Sequence, residues 1–116
     1  MGTKQELKVF GDKQIRTYWD DVQERWFFCI ADVVEAITDS SDVRQYIKRL
    51  RQRDAELGAV WGTICTPPHQ FRSTDGKLHS VHCSSLEGVF RIIQSITSKK
   101  AEPFKRWLAQ VGVGRL

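Results

Sequence analysis

The 116-residue chain has no asparagine, one methionine, three prolines and three cysteines. Without asparagine, its turns fall to Asp, Ser and Gly. No apolar run approaches the ~18 residues of a membrane span. The longest, Trp26 to Ala31, is of strand length. The first ten residues lack the basic-then-apolar order of a secretory signal. Met1-Gly2 opens like a myristoylation site, but Glu6 stands where Ser or Thr is required. Cys29, Cys65 and Cys83 cannot all pair within one chain, and no Cys-x-x-Cys occurs. They read as reduced thiols of a cytoplasmic protein. No G-x-S-x-G, P-loop or dinucleotide fingerprint is present. Asp20-Asp21 is a carboxylate pair, but neighbours in a turn point apart. The expectation is a non-enzymatic chain with no cofactor.

What remains is ordinary globular material, 41% hydrophobic and 28% charged. At this length one modest core is sustainable, so a single domain over 1–116 is expected, with its core at about 9–111. The charge is unevenly placed. Residues 1–42 carry five Lys/Arg and nine Asp/Glu, a net of −4. Residues 43–116 carry thirteen and five, a net of +8. Two clusters supply the excess: Arg44, Lys48, Arg49, Arg51 and Arg53, then Lys99, Lys100, Lys105 and Arg106. Such asymmetry points to an anionic partner on one face, against the plainer reading of a solvated mixed surface.

The hydrophobic pattern predicts α+β architecture: short antiparallel strands and hairpins with about four helices. Lys8-Val9-Phe10, Ile15 to Trp19 and Arg25 to Cys29 read as three strands of a meander. At Ile30 the period changes. Ile30, Val33, Val34 and Ile37 form one helical stripe, with Asp32 off it in the first turn. Thr38 to Asp42 is a turn rich in capping residues. A helix over Val43–Arg53 follows, with Val43, Tyr46, Ile47 and Leu50 on one side. Asp54 to Pro68, loosened by Gly58 and Gly62 and ended by Pro67-Pro68, reads as an irregular insert. His69 to Arg72 and Leu78 to His82 flank an Asp75-Gly76 hairpin turn. Ser84 and Glu87 form a capping box for a helix carrying Leu86, Val89, Phe90, Ile93 and Ile96. The last helix opens at Ala101-Glu102-Pro103 and carries Ala101, Phe104, Trp107, Leu108 and Val111. Gly112-Val113-Gly114 ends it.

Helix 43–53 is the strongest candidate site. Lys and Arg supply nucleic-acid affinity by neutralising phosphates and releasing counterions. Arg44, Lys48 and Arg51 stand at i, i+4 and i+7, along one face. Gln45 and Gln52 add side chains suited to base edges, and Arg49 and Arg53 flank them toward phosphate. Lys99, Lys100, Lys105 and Arg106 are secondary phosphate contacts, or simply complements to a helix C-terminus. Trp19, Trp26, Phe27 and Phe28 could stack single-stranded bases, but a domain of this size needs them inside. Trp61 is the aromatic expected to be exposed. Cys65, His69, His79, His82 and Cys83 lie within nineteen residues. Yet His79 and His82 face opposite sides of a predicted strand, and Cys65 and His69 straddle two prolines, so no metal is assigned.

The order of these pieces resembles the BRO family N-terminal domain of viral BRO proteins and prophage antirepressors. Ile15-Arg16-Thr17-Tyr18-Trp19-Asp20-Asp21 is similar to the family's opening strand and turn. Trp26 to Ile37 is similar to its W-F-x-x-x-D-V-x-x-A-L strand-to-helix signature. The helices at Ser84–Ile93 and Phe104–Leu108 resemble its closing elements. The chain departs from the family at Thr38-Asp39, where many members have Gly-Tyr, and in the Asp54–Pro68 insert. The resemblance implies DNA binding, and antirepressor function as the N-terminal part of a longer protein. DNA is then the expected partner. A phage repressor bound directly through acidic Asp20, Asp21, Glu24, Asp32 and Glu35 is the alternative. A homodimer is left open, and no membrane partner is expected.

Overall fold

The computed structural model describes residues 3–73 and 75–113. Among the described residues, six strands form two antiparallel sheets, accompanied by five helices. β1 (Thr3–Phe10) and β2 (Lys13–Asp20) make a hairpin whose turn opens with Gly11 at φ 61°. Glycine takes that left-handed conformation without the Cβ clash of other residues. β3 (Arg25–Cys29) follows the Asp20–Glu24 turn, where Asp20 accepts the backbone N–H of Val22 at 2.9 Å. β6 (Cys83–Ser85) closes the order β1-β2-β3-β6. β4 (His69–Arg72) and β5 (Leu78–Val81) form a separate hairpin at the predicted Asp-Gly turn.

The helices are α1 (Ile30–Thr38), α2 (Val43–Arg53), α3 (Ala55–Ile64), α4 (Leu86–Gln94) and α5 (Ala101–Val113). The structure corrects the sequence reading here. β1 begins at Thr3, ahead of Lys8. The 54–68 stretch is no irregular insert, because most of it is α3. There are five helices among the described residues, not about four. Ser84 does not cap α4. Ser85 is the cap and accepts from the Gly88 N–H. Ser84 is buried on β6, its hydroxyl donating to the Ile64 carbonyl at 2.6 Å. The predicted stop of α5 reaches Gly114, which lies outside the described residues.

The four-stranded sheet is covered on both faces. Ile15 and Phe28 join Val33, Val34, Ile37, Ile92, Phe104 and Leu108 in the larger core. On the other face Tyr18, Phe27, Cys29 and Cys83 pack against Phe71 and Val81 of the hairpin. This explains why Trp26 to Ile30 is one buried run and not an alternating strand. Burial pushes the Cys29 and Cys83 thiols up, Cys29 to about 11, so both stay protonated and inert.

Two polar devices fix the layers. Arg16 on β2 grips Asp32 on α1 through Nε at 2.8 Å and Nη2 at 3.0 Å, and its own backbone N–H donates to the same carboxylate at 2.9 Å. The Gln5 amide ties β1 to the hairpin. Its Nε2 donates to the Gln70 carbonyl at 2.6 Å, and its Oε1 accepts the Arg72 N–H at 3.3 Å.

Candidate nucleic-acid interface

The polar half of α2 follows from its sequence. Of its eleven residues five are Lys or Arg and none is acidic. Leu50 is buried, and Val43, Tyr46 and Ile47 are half-buried against the main core. That anchoring turns Arg44, Gln45, Lys48, Arg49, Arg51, Gln52 and Arg53 outward, and all seven are exposed. The start is fixed by Asp42, which accepts the Gln45 N–H at 3.1 Å.

The far end is fixed by Asp54, the sole residue between α2 and α3. Its N–H donates to the Leu50 carbonyl at 2.9 Å, and its carboxylate accepts the Leu57 N–H at 3.0 Å. The same carboxylate accepts the Ser95 hydroxyl and pairs with Arg91 at 3.5 Å. The Ser95 hydroxyl, then the Leu57 N–H and Arg91, hold the Asp54 carboxyl below its ordinary value. α3 packs tightly on α2 at Gly58. A Cβ there would lie 2.7 Å from the Arg51 carbonyl oxygen. Between the helices runs an open groove of about 400 Å³ lined by Arg44, Ile47, Lys48, Arg51, Gln52 and Gly58.

The basic residues are not equivalent. Arg51 lies 5.2 Å above the Trp61 ring, and Arg53 donates to the Ser95 carbonyl at 3.2 Å. Arg44, Lys48 and Arg49 have no ion pair or hydrogen bond from their side chains among the described residues. Three cations on one rigid helix therefore keep their full capacity for an external anion. In the second cluster Lys100 is bound to Asp39 at 2.6 Å and Lys105 to Glu102 at 3.2 Å, whereas Lys99 and Arg106 are exposed.

The aromatic residues of the strands are largely interior: Trp26, Phe27 and Phe28 are buried and Trp19 is half-buried. Trp61, expected to be exposed, is half-buried and packs against the core. The histidines and cysteines of 65–83 are dispersed. Cys83 is buried, His69 stacks on Tyr18 with ring centroids 3.9 Å apart, and His79 and His82 are exposed. No group of three or more His, Cys, Asp or Glu able to hold a metal occurs among the described residues. No described helix is long and apolar enough to cross a membrane.

Sequence reasoning missed Asp54, Gly58 and the Arg51–Trp61 contact. Asp54 had a signal: Asp before Ala55-Glu56-Leu57 is a helix start with an acid in its first turn. Gly58 and Gly62 obscured it.

The fold and this surface define a small α+β domain presenting one uncompensated basic helix. The family model described as the BRO family, N-terminal domain, matches residues 14–112. The chain belongs to that family. No curated protein and no solved structure matches it.

Proposed function

We propose that this chain is the DNA-binding, non-enzymatic N-terminal domain of a longer prophage antirepressor-like protein acting in the cytoplasm. One observation carries the reading: α2 presents Arg44, Lys48 and Arg49 without internal partners, on a helix capped at both ends. A rigid cationic helix of this kind neutralises backbone phosphates and releases their counterions. Gln45 and Gln52 sit on the same exposed surface, within the chemistry of adenine recognition. Phosphate contacts supply most of the affinity, and sequence selectivity is modest. Arg51 and Arg53 act as oriented contacts, held by Trp61 and the Ser95 carbonyl. Lys99, Lys100, Lys105 and Arg106 add phosphate contacts outside the helix. Family membership supports the reading.

The test is charge reversal. Arg44→Glu, Lys48→Glu and Arg51→Glu together abolish binding to a labelled random-sequence duplex at low salt. The melting temperature and circular dichroism stay near those of the parent. Undiminished binding defeats the assignment of α2.

A second reading, direct binding of a repressor protein, is favoured by one feature. A cleft of about 470 Å³ opens between the sheet and the β4–β5 hairpin, lined by Leu7, Phe71, Arg72 and His79 among others. Leu7 there is 53% exposed. The acidic surface invoked for that reading is partly spent, since Asp32 is gripped by Arg16. Excess nonspecific duplex separates the two readings, because it displaces DNA from this domain but leaves a repressor complex intact.

A further inference from the structure

Three segments distant in sequence converge beside the start of α2. The first is the β1–β2 turn, which delivers Lys13. The second is the α4–α5 turn, which delivers Lys100. The third is the C-terminus of α1, where Asp39 takes the left-handed conformation at φ 55° and its N–H donates to the Glu35 carbonyl at 2.8 Å. Lys100 Nζ lies 2.6 Å from one Asp39 carboxylate oxygen and Lys13 Nζ 3.7 Å from the other. Three residues later Asp42 caps α2.

The α4–α5 turn is tied to α1 without this node. The Ser98 hydroxyl already donates to the Ile37 carbonyl at 2.7 Å and accepts the Lys100 N–H at 3.1 Å. The Asp39 side chain is half exposed, where ion pairs contribute little to stability. What the arrangement does create is a pair of ammonium groups aimed at one monoanion. A phosphodiester is also a monoanion with two equivalent oxygens. The lysines hold the Asp39 carboxyl below its ordinary value, Lys100 foremost, so it is ionised at neutral pH.

We propose that Lys13 and Lys100 form a phosphodiester-binding point beside the start of α2, and that the Asp39 carboxylate fills it in the free protein and yields it to duplex DNA. The inference rests on the DNA-binding reading above and extends that surface to β-hairpin residue Lys13. Asp39 then sets affinity: it lowers attraction for any polyanion until the backbone can outcompete it.

The experiment measures affinity for one random-sequence duplex across a salt series, for the full chain and its variants. Asp39→Asn keeps a residue that tolerates the left-handed conformation. It binds several-fold tighter at low salt, and the log–log salt dependence steepens by about one. The double variant Lys13→Gln, Lys100→Gln binds more weakly with a shallower slope. Adding Asp39→Asn to that double variant raises affinity less than it does in the parent and leaves the slope unchanged, because no lysine is freed. Parental affinity and slope in Asp39→Asn, or a parental slope in the lysine variant, overturns the proposal and leaves Asp39 as a structural tie. No binding by the parent protein at low salt defeats the DNA-binding reading and this inference with it. Thermal melting of each variant confirms that the fold is kept.

Discussion

α2 and α3 are consecutive helices of similar length joined by one residue, yet they meet opposite fates. α2 keeps its charges outside and anchors itself mainly by Leu50, with Val43, Tyr46 and Ile47 half-buried. α3 carries one acidic residue, Glu56, and only Leu57 is fully buried. It exposes Ala59, Val60, Gly62 and Thr63 instead. α2 is a surface that can act on something else, whereas α3 is a spacer that sets where α2 stands. The difference shows that charge matters here by whether it is spent. Arg91 is spent on Asp54 at the α2–α3 junction, whereas Arg53 is only steered by the neutral Ser95 carbonyl, and Arg44, Lys48 and Arg49 have neither kind of tie.

This contrast can be broken from the α3 side without touching a cation. The largest effect is expected from Leu57→Ala, which removes the one fully buried side chain of α3. It costs about 2–5 kcal/mol of stability, read by denaturant unfolding, because the cavity is only partly filled by relaxation. Stability unchanged by it would show that α3 does not anchor α2. Gly58→Ala comes next. Its methyl meets the Arg51 carbonyl, and the helices must separate at a cost of about 1–3 kcal/mol. It should also weaken duplex binding while every basic residue remains, which sharpens the view of α3 as a positioning element.

The smallest effect lies away from both helices, in the hairpin. Burial holds His69 below its ordinary value, so the folded state disfavours its charged form. The unfolded chain then binds more protons as pH falls through about 6.5, and stability declines in that window. The melting temperature of the parent should drop between pH 7.5 and 5.5 more than that of His69→Phe. Equal drops would place the titration elsewhere.

Much of this was legible in the sequence because of strict periodicity. Val33, Val34 and Ile37 fixed the inner face of α1, and Phe104 and Leu108 that of α5. α2 was bounded correctly from Val43 to Arg53, since its apolar and basic sides are cleanly divided. α3 was not legible for the converse reason: Ala59, Val60, Trp61 and Ile64 leave it no polar side, and two glycines mimic a loop. β6 was missed because Cys83-Ser84-Ser85 is too short to alternate, and only pairing with β3 makes it a strand. The candidate basic helix could be proposed from spacing alone. Which of its charges are free, and that Lys13 and Asp39 stand beside it, depends on tertiary approach that no local pattern encodes.

The Gln5 amide has a bearing beyond tying two layers. A two-stranded hairpin is marginal by itself, and its outer strand presents bare backbone groups to any passing chain. By meeting the Gln70 carbonyl and the Arg72 N–H together, one side chain imitates the peptide unit of a missing neighbouring strand. The hairpin is thereby finished as a sheet and closed to strangers at those positions by a single glutamine, with no further length of chain.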